Sequence, residues 1–115
     1  MVNTQWVRQG DVLLQLLPLN SIEGDTCPTA SPVLLEGEAT GHAHRLRECI
    51  EVEDILVRYN SPTFIKAFRL PRPDVLEHEE HGPIPLPAGD VRAYRKREFD
   101  PFVANPADQV RMVRD

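Results

Sequence analysis

Long apolar runs, paired cysteines and an excess of basic charge are missing from this chain, and few gaps between its prolines and glycines would hold a long helix. No segment approaches the roughly 20 apolar residues that cross a bilayer, which excludes a membrane-spanning helix. Met1-Val2-Asn3-Thr4-Gln5-Trp6 lacks the basic stretch and apolar run of a cleaved signal peptide. A cytoplasmic protein is therefore expected. The two cysteines, Cys27 and Cys49, have no CxxC spacing. In a reducing compartment they are expected to be free thiols, with Cys49 in the core. The net charge of −5 argues against a general nucleic-acid binder that neutralises phosphates. There is no nucleotide-binding loop, no assignable Ser-His-Asp set and no internal repeat.

What remains is ordinary for a folded domain. The chain has 115 residues, 41% hydrophobic and 27% charged, enough for one modest core without disulfide support. Eleven prolines and six glycines favour short strands over helices. Asp11 to Leu17 is an apolar run ending at Pro18, of a length that suits a buried strand. Asn20 to Pro32 reads as a loop from its Ser, Thr, Gly, Asp and Pro content. Val33 to Glu36 starts a second strand, and Gly37 and Gly41 bracket a bend or bulge.

Period-2 patterning over His42 to Ile50 puts His42, His44, Leu46 and Glu48 on one face of a regular strand. Ile55–Tyr59 and Thr63–Phe68 flank Asn60-Ser61-Pro62, a plausible hairpin loop. Val75 to Glu79 reads as a strand leading into Glu80-His81-Gly82-Pro83. Pro83, Pro85 and Pro87 make the next stretch extended and unsuited to a sheet interior. Val91 to Phe99 is the last strand expected, and Arg92-Ala93-Tyr94-Arg95-Lys96-Arg97 reads as a solvated edge. The predicted fold is all-β, a small single-domain sandwich or barrel over residues 1–115, with 100–115 a packed or flexible tail.

Every histidine of the chain falls in one of two pairs, His42-x-His44 and His78-x-x-His81. Neutral imidazole is a common ligand for zinc, iron, nickel and copper, and an HxH pair on one strand aims both rings at one ion. All four close a tetrahedral site, or three bind and leave a fourth position for water or substrate. The expected cofactor is a divalent transition metal, zinc first. Glu79 and Glu80 are candidate ligands, ring partners or general bases, with Glu38 and Glu48 as further carboxylates near the first pair. His78-Glu79-Glu80-His81 is not the metalloprotease HExxH, because its histidines are three apart. On a flat strand they would face opposite ways, so a shared site needs the chain to bend at His81.

In order, Gln9-Gly10-Asp11, Gly37-Glu38-Ala39-Thr40-Gly41-His42-Ala43-His44, His78-Glu79-Glu80-His81-Gly82-Pro83-Ile84 and Leu86-Pro87-Ala88-Gly89 resemble a group of small uncharacterised bacterial proteins. The resemblance implies a recurrent histidine-bearing site without naming its task. A looser similarity is to cupins: Gly41, His42, His44 and Glu48 echo their first motif, whereas His78 and His81 precede the Pro87-Ala88-Gly89 turn instead of following it.

Two kinds of function stay open. A metal-dependent enzyme would hold its ion with histidines, move protons with Glu79 or Glu80 and orient an anionic substrate with Arg45, with Tyr94 as a hydrogen-bond donor. A protein-interaction module would use the histidines or a zinc ion to stabilise the fold, and Phe64, Phe68 or Phe99 to anchor a partner or pack the core. A third use is pH or metal sensing. A homodimer is the default assembly.

Overall fold

The computed structural model describes residues 5–36, 41–58 and 61–96, together with the backbone of 112–114. These residues are all-β, in two sheets. The strands are β1 (Gln5–Gln9), β2 (Val12–Leu17), β3 (Asp25–Pro28), β4 (Val33–Glu36), β5 (Ala43–Leu46), β6 (Glu53–Leu56), β7 (Phe64–Leu70), β8 (Asp74–Glu77), β9 (Ile84–Leu86), β10 (Gly89–Arg95) and β11 (Met112–Arg114). A seven-stranded sheet runs β11-β1-β2-β10-β7-β6-β3, and a four-stranded sheet runs β4-β5-β8-β9. Pairing is antiparallel throughout except between β1 and β11.

Alternation along the strands builds the core. Val7, Val12, Leu14, Leu16, Phe68, Leu70, Val91 and Ala93 of the large sheet meet Leu34, Leu46, Leu76, Ile84 and Leu86 of the small one. Phe68, Leu14, Leu70 and Leu76 are fully buried, each contributing about 1.5–3 kcal/mol of transfer free energy. The run in β2 is continuous because its other face is covered too: Leu13 packs with Trp6 and Tyr94 in a separate cluster. Such burial on both faces removes the polar half of the usual alternation.

Several sequence expectations need correction. β10 is not an edge strand but lies between β2 and β7. Val91 and Ala93 enter the core, Tyr94 joins Trp6 on the opposite face, and Arg92 Nη1 donates to Gln15 Oε1 at 3.1 Å. The arginines reach outward past a buried backbone, which a charge count cannot reveal. Nor is β10 the last strand, since β11 pairs with β1. The segment read as a loop contains β3, which pairs with β6 at the edge of the large sheet. Pro85 sits in edge strand β9, where proline is tolerated.

The strand expected over His42 to Ile50 shrinks to Ala43–Leu46. Its end has an identifiable cause. Asp74 accepts the backbone N–H groups of Glu48 (3.0 Å) and Cys49 (2.8 Å), and Cys49 takes a positive φ of 51°. That carboxylate turns the chain out of the sheet and carries Glu48 away from the face of His44. Cys27 and Cys49 are free thiols, and Cys49 packs against the main core. Burial and the nearby Asp74 carboxylate push its thiol pKa up.

Candidate functional site

The site begins at the β1–β2 hairpin. Gln9 pairs with Val12, so Gly10-Asp11 is a two-residue loop, and Gly10 supplies its positive φ of 54°. Alternation along β1 sends Val7 and Gln9 inward, which carries an amide to the rim of the core. Gln9 is fully buried and fully bonded: Nε2 donates to the carbonyls of Leu76 and Gly82, each at 2.9 Å, and Oε1 lies 2.9 Å from His44 Nδ1.

The two histidine pairs meet through strand register. β5 and β8 are antiparallel with Arg45 opposite Glu77, so one step along each strand sets His44 beside His78. Their ring centres are 4.3 Å apart. Beyond β8 the chain bends through residues 79–81. His78 Nδ1 accepts the backbone N–H of Glu80 at 3.1 Å, with that of His81 at 3.4 Å. This turn swings His81 back, its ring centre 4.8 Å from His78 and 6.2 Å from His44. His42, just before β5, stands edge-on to His78 at 5.7 Å. The expected bend is thus present, and the four rings form one connected cluster.

Gly10 closes the cluster from the side of the large sheet. A Cβ at this position would lie 2.5 Å from His81 Nε2, so the His81 ring packs where only glycine leaves room. His44 is buried, while His42 and Glu80 lie nearer solvent, with His42 Nδ1 3.2 Å from Glu80 Oε1.

Glu79 and Arg45 bond to each other. Glu79 Oε1 accepts the Ala43 N–H at 2.8 Å, and Oε2 meets Arg45 Nη2 at 2.9 Å. The Ala43 N–H, Glu79's own N–H, Arg45 and His78 together hold this carboxyl below the usual range, against a smaller opposing effect of burial. The pair ties the turn after β8 to β5, on the strand that carries His44. Glu48 lies away at the Asp74 bend, and Glu38, Tyr59, Asn60 and Phe99 lie outside the described residues. Tyr94 packs with Trp6, ring centres 5.8 Å apart, on the far face of the large sheet. Phe68 is core.

Among the described residues, no three His, Cys, Asp or Glu side chains hold their donor atoms in a ready-made metal-binding arrangement. The site is a set of adjacent rings with fixed partners. Gln9 and Gly10 belong to it although sequence reasoning did not nominate them. Their only signal was the Gln9-Gly10-Asp11 motif, which says nothing locally about histidines.

Fold and site together define an all-β two-sheet domain with a histidine cluster between a hairpin of one sheet and the central strands of the other. The chain belongs to the family described as a domain of unknown function (DUF8820), which matches residues 8–97, from the hairpin to the end of β10. No curated protein and no solved structure matches it.

Proposed function

We propose that this protein binds one divalent transition metal, zinc first and iron, nickel or copper otherwise, through its histidine cluster. The observation that carries the reading is ring spacing. Imidazoles held tetrahedrally at a metal–nitrogen distance of about 2.0 Å have ring centres roughly 5 Å apart. The separations of His78 from the other three rings and of His44 from His81 run from 4.3 to 6.2 Å, close to that value. Two rings also carry the outer partners that metal-ligating histidines usually have: a buried amide on His44 and a carboxylate on His42. In an enzyme of this kind Glu80 is the carboxylate nearest the rings for proton transfer. Arg45 and Glu79 would hold the turn, and Arg45 would meet an anionic substrate at its rim.

A structural use of the same metal is the second reading, favoured by one feature. Gln9 comes from the large sheet, and its partners Leu76, Gly82 and His44 come from the small sheet and the turn beside it. An ion bound there would fix the rings against which Gln9 and Gly10 of the large sheet pack.

Elemental analysis of untagged protein purified without chelator tests the proposal, beside a His42→Ala/His44→Ala variant. About one equivalent of metal in the parent protein, lost in the variant, supports it. No metal after incubation with zinc, iron, nickel and copper in turn overturns it. Removing bound metal separates the readings: a structural ion takes thermal stability with it, whereas a working ion leaves the fold largely intact.

A further inference from the structure

We propose that the cavity between residues 18–24 and the end of β6 binds a small organic monocarboxylate, gripped by Arg92 and Arg58 and packed against Leu56 and Val57. The cavity lies on the face of the large sheet turned away from the small one, and the proposal is independent of the metal reading.

The charge comes first. Asp90 and Arg92 stand two residues apart on one face of β10, opposite Arg69 and Ala67 of β7. The fold gives Arg69 a carboxylate, since Asp90 takes its Nε and Nη2. It gives Arg92 none. The Asp90 oxygens are already shared between Arg69 and the N–H groups of Asn20 and Ile22. Arg92 meets only the neutral amide of Gln15, through Nη1 at 3.1 Å. Among the described residues neither Arg92 nor Arg58 forms an ion pair. Arg92 is half-buried, and a charge drawn out of water is ordinarily paired.

The shape is built in advance. On one side, Asp90 accepts the N–H groups of Asn20 and Ile22, and Arg69 Nη2 donates to the Ile22 carbonyl at 3.0 Å. Gly24 then packs so tightly on β6 that a Cβ there would lie 2.6 Å from the Leu56 carbonyl oxygen. The other side is Leu56-Val57-Arg58. Val57 packs on Ile22, Ile55 and Ala67, whereas Leu56 is a large apolar side chain left exposed. The space between has a volume of about 500 Å³, the size of a small-molecule site. Walls already fixed in place lower the cost of ordering on binding.

The ligand class follows from charge and surface together. Two arginines against the single carboxylate of Glu23 leave the lining with one net positive charge, which suits a monoanion. The planar guanidinium fork matches a carboxylate, and the Leu56 and Val57 wall favours a hydrocarbon or aromatic body over a bare inorganic ion.

Benzoate is the probe, titrated into nitrogen-15-labelled full-length protein with backbone amide and arginine side-chain NMR shifts as readout. Saturable shifts centred on Ser21, Ile22, Val57, Arg58 and Arg92 are expected. Benzamide keeps the ring without the charge, and inorganic phosphate keeps a charge without the ring. Each should bind at least about tenfold more weakly, as loss of a charge-assisted bond or of apolar burial implies. Arg92→Gln should weaken benzoate about tenfold, and Arg58→Gln, at an exposed position, about threefold. Shifts that never saturate or that centre elsewhere overturn the proposal, as does equal binding of benzamide or phosphate. Unchanged benzoate affinity in either arginine variant also overturns it. Should Arg92→Gln fail to give a cooperative melt, Arg58→Gln alone decides.

Discussion

Gln9 and His44 lie 35 residues apart on different sheets, yet Gln9 Oε1 stands 2.9 Å from His44 Nδ1. The amide is locked from behind by two carbonyls, so it acts as a rigid acceptor for one tautomer of one histidine. It is a positioning group, and also a polar bolt between the layers.

Replacing Gln9 with Leu keeps the volume and removes all three bonds. The buried Leu76 carbonyl, the half-buried Gly82 carbonyl contact and the His44 ring would lose their partner, at a cost of about 2–4 kcal/mol. Calorimetry should show Tm falling by roughly 8–20 °C. Metal affinity should fall by about 10–100-fold, the usual effect of removing an outer partner. A variant as stable as the parent would show that the bolt carries no net stability.

Gly10→Ala separates site geometry from stability. An alanine at φ 54° costs about 1–2 kcal/mol, and its Cβ would press on the tip of the His81 ring. That ring is able to swing aside, so the fold should survive with a modestly lower Tm. Metal affinity should drop further than the Tm change suggests. Isothermal titration beside thermal melting checks this, and unchanged affinity would remove His81 from the ligand set.

Asp90 tests the large sheet independently. This fully buried carboxylate takes Arg69 Nε and Nη2 at 2.8 and 2.9 Å and the N–H groups of Asn20 and Ile22 at 3.1 and 2.8 Å. Burial pushes its pKa up, but Arg69 and the two N–H groups outweigh burial and hold it low. Asp90→Ala would strand a half-buried guanidinium and free the 18–22 loop, costing about 3–5 kcal/mol. Denaturant unfolding would report it, and a loss below about 1 kcal/mol would mean that water replaces the carboxylate freely.

The depressed Glu79 carboxyl predicts a pH dependence with a definite sign. A folded pKa below the unfolded value of about 4.3 contributes stability that is fully present above that value. It is lost as pH falls through the folded pKa. The stability gap between parent and Glu79→Gln should therefore be constant from neutral pH down to about 5 and close below about 4. Denaturant melts at intervals between pH 7 and 3 would show it. A gap that stays open in acid would mean that Glu79 acts through its shape and not its charge.

The all-β class and most strands were legible because local patterns carry them: the apolar run of β2, and the apolar stretches of β6 and β7 on either side of a turn signal. The centrality of β10 was hidden, since strand order is set by partners distant in sequence and exposed arginine tips look alike on edge and interior strands. β3 was hidden by a loop-like composition that an edge strand tolerates. The early end of β5 depended on Asp74, about 25 residues away.

At the site, the chain by itself determined which chemical groups are on offer. All its imidazoles fall in two short pairs, and each pair sits on a few residues that backbone geometry can bend or extend in only a few ways. Tertiary structure decided that the pairs meet, through the register of β5 on β8. It also decided which groups the rings meet, because those partners come from distant parts of the chain. For His44 that partner is Gln9, delivered from another sheet by the fold.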